Sequence, residues 1–167
     1  MARYRLPSDV KASALSYVQG YARRRQEYKK RYNDIINSSG AAWETYKETV
    51  KDENGKEISI ECRYYGSRPT GKPGNPTERK AFELAMLDAR QDTQLMRAVE
   101  RARDLIGDRI DSDEVRNALI CGIMKNCENC RNFAYEYLDL PGIGRTAFYD
   151  ERRRFLYYVA KYSGLIG

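Results

Sequence analysis

Residues 142–154, Gly-Ile-Gly-Arg-Thr-Ala-Phe-Tyr-Asp-Glu-Arg-Arg-Arg, hold the side chains best suited to chemistry in this chain. Arg145 can pair with a guanine edge or with phosphate, and Thr146 and Tyr149 suit phosphate, sugar or a thymine methyl. Arg152, Arg153 and Arg154 follow as three consecutive guanidinium groups. At 100° per residue they cannot share one helix face, so at least one must point towards a groove. Arg131, at the start of the helix expected before this segment, is placed to reach a backbone phosphate. The chemistry these residues offer is recognition of a polyanion.

Other chemistry is poorly supplied. The chain has no histidine, which removes His-based triads, His-ligated zinc and the commonest general base near neutral pH. Asp111, Asp113 and Glu114 read as helix-start charges favoured by the helix dipole. Residues 66–74 are Gly-rich but lack the spacing of a phosphate loop. Cys127-Glu-Asn-Cys130 has the spacing of a metal knuckle. A four-thiolate site would also need Cys62 and Cys121, which form no second pair of this kind, so the four cysteines read as reduced structural thiols. The expectation is a protein that is not an enzyme and uses no cofactor and no metal.

The chain has 167 residues and a net charge of +6. Its mean hydropathy is −0.78. Residues 1–40 carry nine Lys/Arg and three Asp/Glu, residues 41–140 carry sixteen and nineteen, and residues 141–167 carry five and two. Two basic ends around a slightly acidic middle point to nucleic acid as partner. No apolar run approaches the ~20 residues of a membrane-spanning helix, and the opening residues lack the apolar core of a secretory signal. A cytoplasmic protein with no membrane partner is expected.

The elements that must position the arginines read as nearly all-α. Residues 134–149 have the form of a helix-turn-helix: Gly142 supplies the positive φ of the turn, Ile143 plugs the corner between the helices, and Phe148 points inward. Two positions depart from that form. Leu138 stands where a small residue lets the helices approach, and Glu151 where an apolar residue commonly packs. Before this unit, apolar residues at helical spacing predict one long helix over 8–37, Leu15, Val18, Ala22, Tyr28, Tyr32, Ile35 and Ile36 lining its buried face. A second long helix is predicted over 76–106, opened by Asn75, Pro76 and Glu78, and able to pack antiparallel to the first. Asp111-Ser-Asp-Glu114 predicts a further helix start, and a fourth helix is expected from about Asn129, with Phe133, Tyr137 and Leu138 on its apolar side. Asp52-Glu-Asn-Gly55 between β-prone residues predicts a small hairpin near 45–62. The resulting organisation is a basic N-terminal helix (1–40), a hairpin insertion (41–65), a flexible linker (66–75) and a helical domain (76–167) whose helix-turn-helix occupies about 115–163.

The C-terminal stretch from Ile143 to Ala160 resembles the sigma-like end of phage and prophage late-gene transcriptional regulators of the RinA/ArpU type. Tyr17-Val-Gln-Gly-Tyr-Ala-Arg-Arg-Arg-Gln-Glu-Tyr resembles that family's basic N-terminal helix, and Asn75-Pro-Thr-Glu-Arg-Lys-Ala its mid-chain helix start. Gly144 replaces the family's usual Ser cap, and Asp150 interrupts the basic run. The resemblance implies a sequence-specific regulator of phage genes that binds double-stranded DNA through Arg145, Thr146, Tyr149 and Arg152–Arg154. RNA polymerase and a second copy of the chain are further candidate partners. A small terminase subunit for DNA packaging and a helical protein-interaction module are the competing readings.

Overall fold

The computed structural model describes residues 4–38, 43–51, 57–65 and 76–167. Among the described residues six α-helices and one hairpin follow in the order α1 (Ser8–Gln19), α2 (Tyr21–Asn37), β1 (Trp43–Lys51), β2 (Glu57–Tyr65), α3 (Pro76–Ala89), α4 (Gln91–Arg103), α5 (Asp113–Glu128) and α6 (Arg145–Tyr162). The architecture is therefore all-α with a small antiparallel hairpin, the class the sequence predicts. Two compact units form: Met1–Lys29 with Ala89–Gly167, and Lys30–Asp88. Residues 4–29 close back on the C-terminal half of the chain because the apolar face of α1 is used there.

In the first unit α1 packs against α4, α5 and α6, and α4 also packs against α6. Ala14 and Val18 from α1 and Tyr21 from α2 meet Met96, Val99 and Ala102 of α4. Leu119, Ile123 and Cys127 of α5 and Phe148, Phe155, Leu156, Val159 and Ala160 of α6 complete the core. Ser112 caps α5, its hydroxyl accepting the Val115 N–H, and Asp113 and Glu114 occupy the dipole-favoured first turn. The Tyr4 ring lies edge-on to Tyr157 of α6, 5.3 Å between centroids.

Both long helices expected from the sequence are broken. The N-terminal one divides at Gly20, where the Gly20 N–H still donates to the Ser16 carbonyl but the Tyr17 carbonyl accepts from the Arg24 guanidinium. Arg24 is buried against Gly20, and a Cβ at position 20 would lie 2.5 Å from its Nη1. The buried face shifts with the break: Ala14, Val18 and Tyr21 are inside, while Ala22, Tyr32 and Ile36, which the unbroken stripe would bury, are exposed. The mid-chain helix divides at Arg90, whose backbone is extended (φ −62°, ψ 141°) and whose carbonyl receives the Gln94 N–H. No Gly or Pro marks that position, so the apolar spacing reads straight through it. The chain then leaves α4 through Gly107 at φ 63°, in the left-handed region.

The second unit contains the end of α2, the hairpin and most of α3. The strands pair from Trp43↔Tyr65 through Val50↔Ile58 to Lys51↔Glu57, beginning two residues before and ending three residues after the expected 45–62. The expected Asp52–Gly55 turn, the 66–75 linker and the Asn75 cap lie outside the described residues. Lys80 Nζ on α3 donates to the Ile36 carbonyl at the end of α2 (2.7 Å).

Phe155 is 1% exposed. Truncation to Ala is expected to destabilise the first unit by about 3–5 kcal/mol, read as a lowered urea midpoint. Ile36→Ala, at a residue of the second unit that is 42% exposed, should change stability in the same measurement by no more than about 0.5 kcal/mol.

Candidate nucleic-acid interface

The start of α6 is fixed from below. Gly142 takes φ 74°, open to glycine without strain. Ile143 is buried, and its carbonyl accepts the Tyr135 hydroxyl proton at 2.6 Å. Phe148 is fully buried, with Tyr135 5.6 Å and Tyr149 5.2 Å away between ring centroids. The turn glycine, the corner plug and the inward Phe148 therefore sit where the sequence spacing puts them.

The helix expected before that turn, from about Asn129, does not form. Asn129 Oδ1 accepts the N–H groups of Arg131 and Asn132 (3.2 Å each), and the Asn126 side chain donates to the Phe133 carbonyl. These side-chain bonds offer the backbone an alternative to helical pairing. Only a single 3-10 turn, Tyr135–Tyr137, follows, and Leu140 precedes Pro141, which disfavours helical backbone. The unit is α5, an ordered non-α connection and α6, not two adjoining α-helices. Tyr137, expected on an apolar face, is 75% exposed.

The two departures at Leu138 and Glu151 have physical answers. Gly122 on α5 provides the room: a Cβ there would lie 3.2 Å from Leu140 Cδ2 and 3.4 Å from Leu138 Cδ1. Glu151 is held by polar partners, accepting from the Gly107 N–H and from Arg154 Nη1, both at 3.3 Å.

The candidate DNA contacts separate into outward and inward groups. Arg145 and Thr146 are exposed, Tyr149 is half-buried and Arg153 is exposed. At 100° per residue these four and Asp150 span about 140° of one helix face. Arg145 Nε reaches Glu136 Oε1 at 3.2 Å, and its guanidinium lies 5.9 Å from the Tyr149 ring centroid. Arg153 pairs with Asp150. Arg131 is exposed in the turn after α5 rather than at a helix start.

Arg152 and Arg154, expected on the DNA side, are turned inward. Arg154 is 12% exposed and grips Asp108 with both terminal nitrogens (2.8 and 2.6 Å), tying α6 to the turn after α4. The same pair holds the Asp108 carboxyl below its ordinary range, through the hydrogen bond from Arg154, and pushes the guanidinium up. Arg152 lies against the Cys127 thiol, which burial raises to about 11 although the cation opposes the shift. Cys127 is thus a protonated, inert thiol at neutral pH, while Cys121 and Cys130 are exposed. Among the described residues no group of three His, Cys, Asp or Glu is arranged to hold a metal ion. No described helix is long and apolar enough to cross a membrane.

The +6 charge resides in one unit. Residues 1–29 and 89–167 contain 20 Lys/Arg and 14 Asp/Glu, whereas 30–88 contain ten of each. No family model, curated protein or solved structure matches the chain.

Two outcomes test this geometry. A carboxyl with a lowered folded pKa contributes stability above the unfolded value, and loses it as pH falls through the folded one. Asp108→Asn should therefore be less stable than the parent at pH 7, with the gap closing below about pH 4, as read by urea unfolding at both pH values. Iodoacetamide on the native chain should modify Cys121 and Cys130 first, with Cys127 protected until unfolding, as resolved by peptide mass spectrometry.

Proposed function

We propose that this chain is a sequence-specific DNA-binding transcriptional regulator of phage or prophage genes, reading the major groove with the first turns of α6. The observation that carries the reading is the outward face of Arg145, Thr146, Tyr149 and Arg153, mounted on a helix start locked by Ile143 and Phe148. A recognition helix uses side chains near its N-terminus for base edges and nearby cations for phosphate. Here Arg145 and Thr146 take the first role, Arg153 and Arg131 the second, and the exposed Tyr137 adjoins Glu136, the acid that Arg145 must leave. The positive charge of the unit that contains α6 supports a polyanionic partner, and the resemblance to RinA/ArpU-type regulators supports the regulatory role.

Fluorescence anisotropy with duplexes selected from a random pool tests the reading. With Arg153 and Arg131 on phosphate, log K should fall with log salt at a slope of about −2. Arg145→Ala should cost about 1–3 kcal/mol on the selected site, and Arg154→Ala should act through stability rather than salt slope. Salt-independent binding, or a pool with no enriched motif, overturns it. A ring of many subunits by light scattering would favour the packaging role instead.

A further inference from the structure

On α2, Tyr21, Arg25 and Lys29 stand four residues apart, with Ala22 and Gln26 beside them, forming a ridge about 12 Å long. Ile120, Met124 and Glu128 repeat that spacing on α5. Between the two ridges, with Arg103 of α4 at its edge, lies an open groove of about 500 Å³. All of its walls belong to the first unit. Ile120 and Met124 pack against the core and form the floor with Ala22 and the Tyr21 ring, whose hydroxyl is engaged by Glu100 (3.0 Å). Arg25, Lys29 and Arg103 line the groove beside one carboxylate, Glu128, and Arg103 also reaches Asp104 at 3.8 Å.

Two i, i+4 ridges flanking an apolar floor are the surface that a third helix packs into. The ridge length accommodates about two turns of a guest, and Met124 adapts to side chains of different shape. Arg25 and Lys29, with Arg103 shared with Asp104, outweigh the one lining acid and select a guest with acidic flanks. An apolar floor offers nothing to a sugar-phosphate backbone, which disfavours nucleic acid here. The chain's own 66–75 segment, with Arg68, Lys72 and no acidic or apolar side chain, has the wrong charge and no anchor. We infer that this groove docks an acidic amphipathic helix of a protein partner, anchored by apolar side chains on Ile120 and Met124 and steered by Arg25, Lys29 and Arg103. The inference stands apart from the DNA reading, because α6 lines no part of the groove.

The probe is a fluorescein-labelled synthetic helix of four turns, with Leu at i, i+4 and i+7 and Glu on both flanks, titrated with the full chain by anisotropy. Saturable binding that weakens with salt is expected. The Arg25→Glu, Lys29→Glu double variant, changed only at exposed positions, should weaken it at least about tenfold. Met124→Lys should do the same with its circular dichroism unchanged, and the peptide with Lys in place of Glu should not bind. Absence of binding at about 1 mM peptide, or equal affinity for the parent and the Arg25/Lys29 variant, overturns the inference. So does a charge-reversed chain that loses duplex affinity while keeping the peptide, since that would make the rim a phosphate site.

Discussion

Phe148, Phe155, Leu156, Val159 and Ala160 form one side of α6, and their burial against α1 and α4 sets the orientation of everything else on that helix. With the apolar side committed, rotation about the helix axis is fixed by 100° steps. Arg145, Thr146, Tyr149 and Arg153 are then outside, and Arg152 and Arg154 fall on the flanks where the fold has acids or a thiol to meet them. Phe148 is fully buried within the first turn, so the helix start is as well held as its middle. The candidate interface therefore rests on a packed core rather than on a loop.

The inward arginines show how a basic run is divided between structure and surface. Arg154 is largely removed from water, and a buried guanidinium needs compensation. Asp108 supplies a two-pronged partner from the turn after α4, and Glu151 adds a second acid. That pair fastens the α4–α5 turn to α6 where Gly107 at φ 63° redirects the chain. Arg24 does comparable work at the Gly20 break, giving the Tyr17 carbonyl the donor that helix continuity would otherwise provide.

Much of this was legible in the residues. The Gly142 turn and the Ser112 cap depend on interactions within a few positions, and the Ile143 plug, the inward Phe148 and the hairpin follow from local spacing beside turn-forming residues. The helix breaks at Gly20 and Arg90 were not legible, because apolar periodicity continues through both and the decision lies with partners distant in sequence. The failed helix after Asn129 had a signal: two asparagines, Asn126 and Asn129, and Pro141 frame it, and side-chain competition with backbone outweighed the apolar spacing. Which arginines face inward depended on Asp108, more than forty positions from Arg154, and on Cys127. The groove between α2 and α5 was hidden for the same reason, since the two ridges approach only in the folded chain.

Both outward arginines of α6 keep an acid within reach, Glu136 for Arg145 and Asp150 for Arg153. Such exposed pairs are individually weak, about 0–1 kcal/mol, yet they leave the face with little bare charge. A sulfated chromatography resin, which attracts by charge density alone, should hold this helix less firmly than its arginines suggest. A ligand that gains from displacing the carboxylates must match the positions of the guanidinium groups, so the surface rewards shape over indiscriminate attraction.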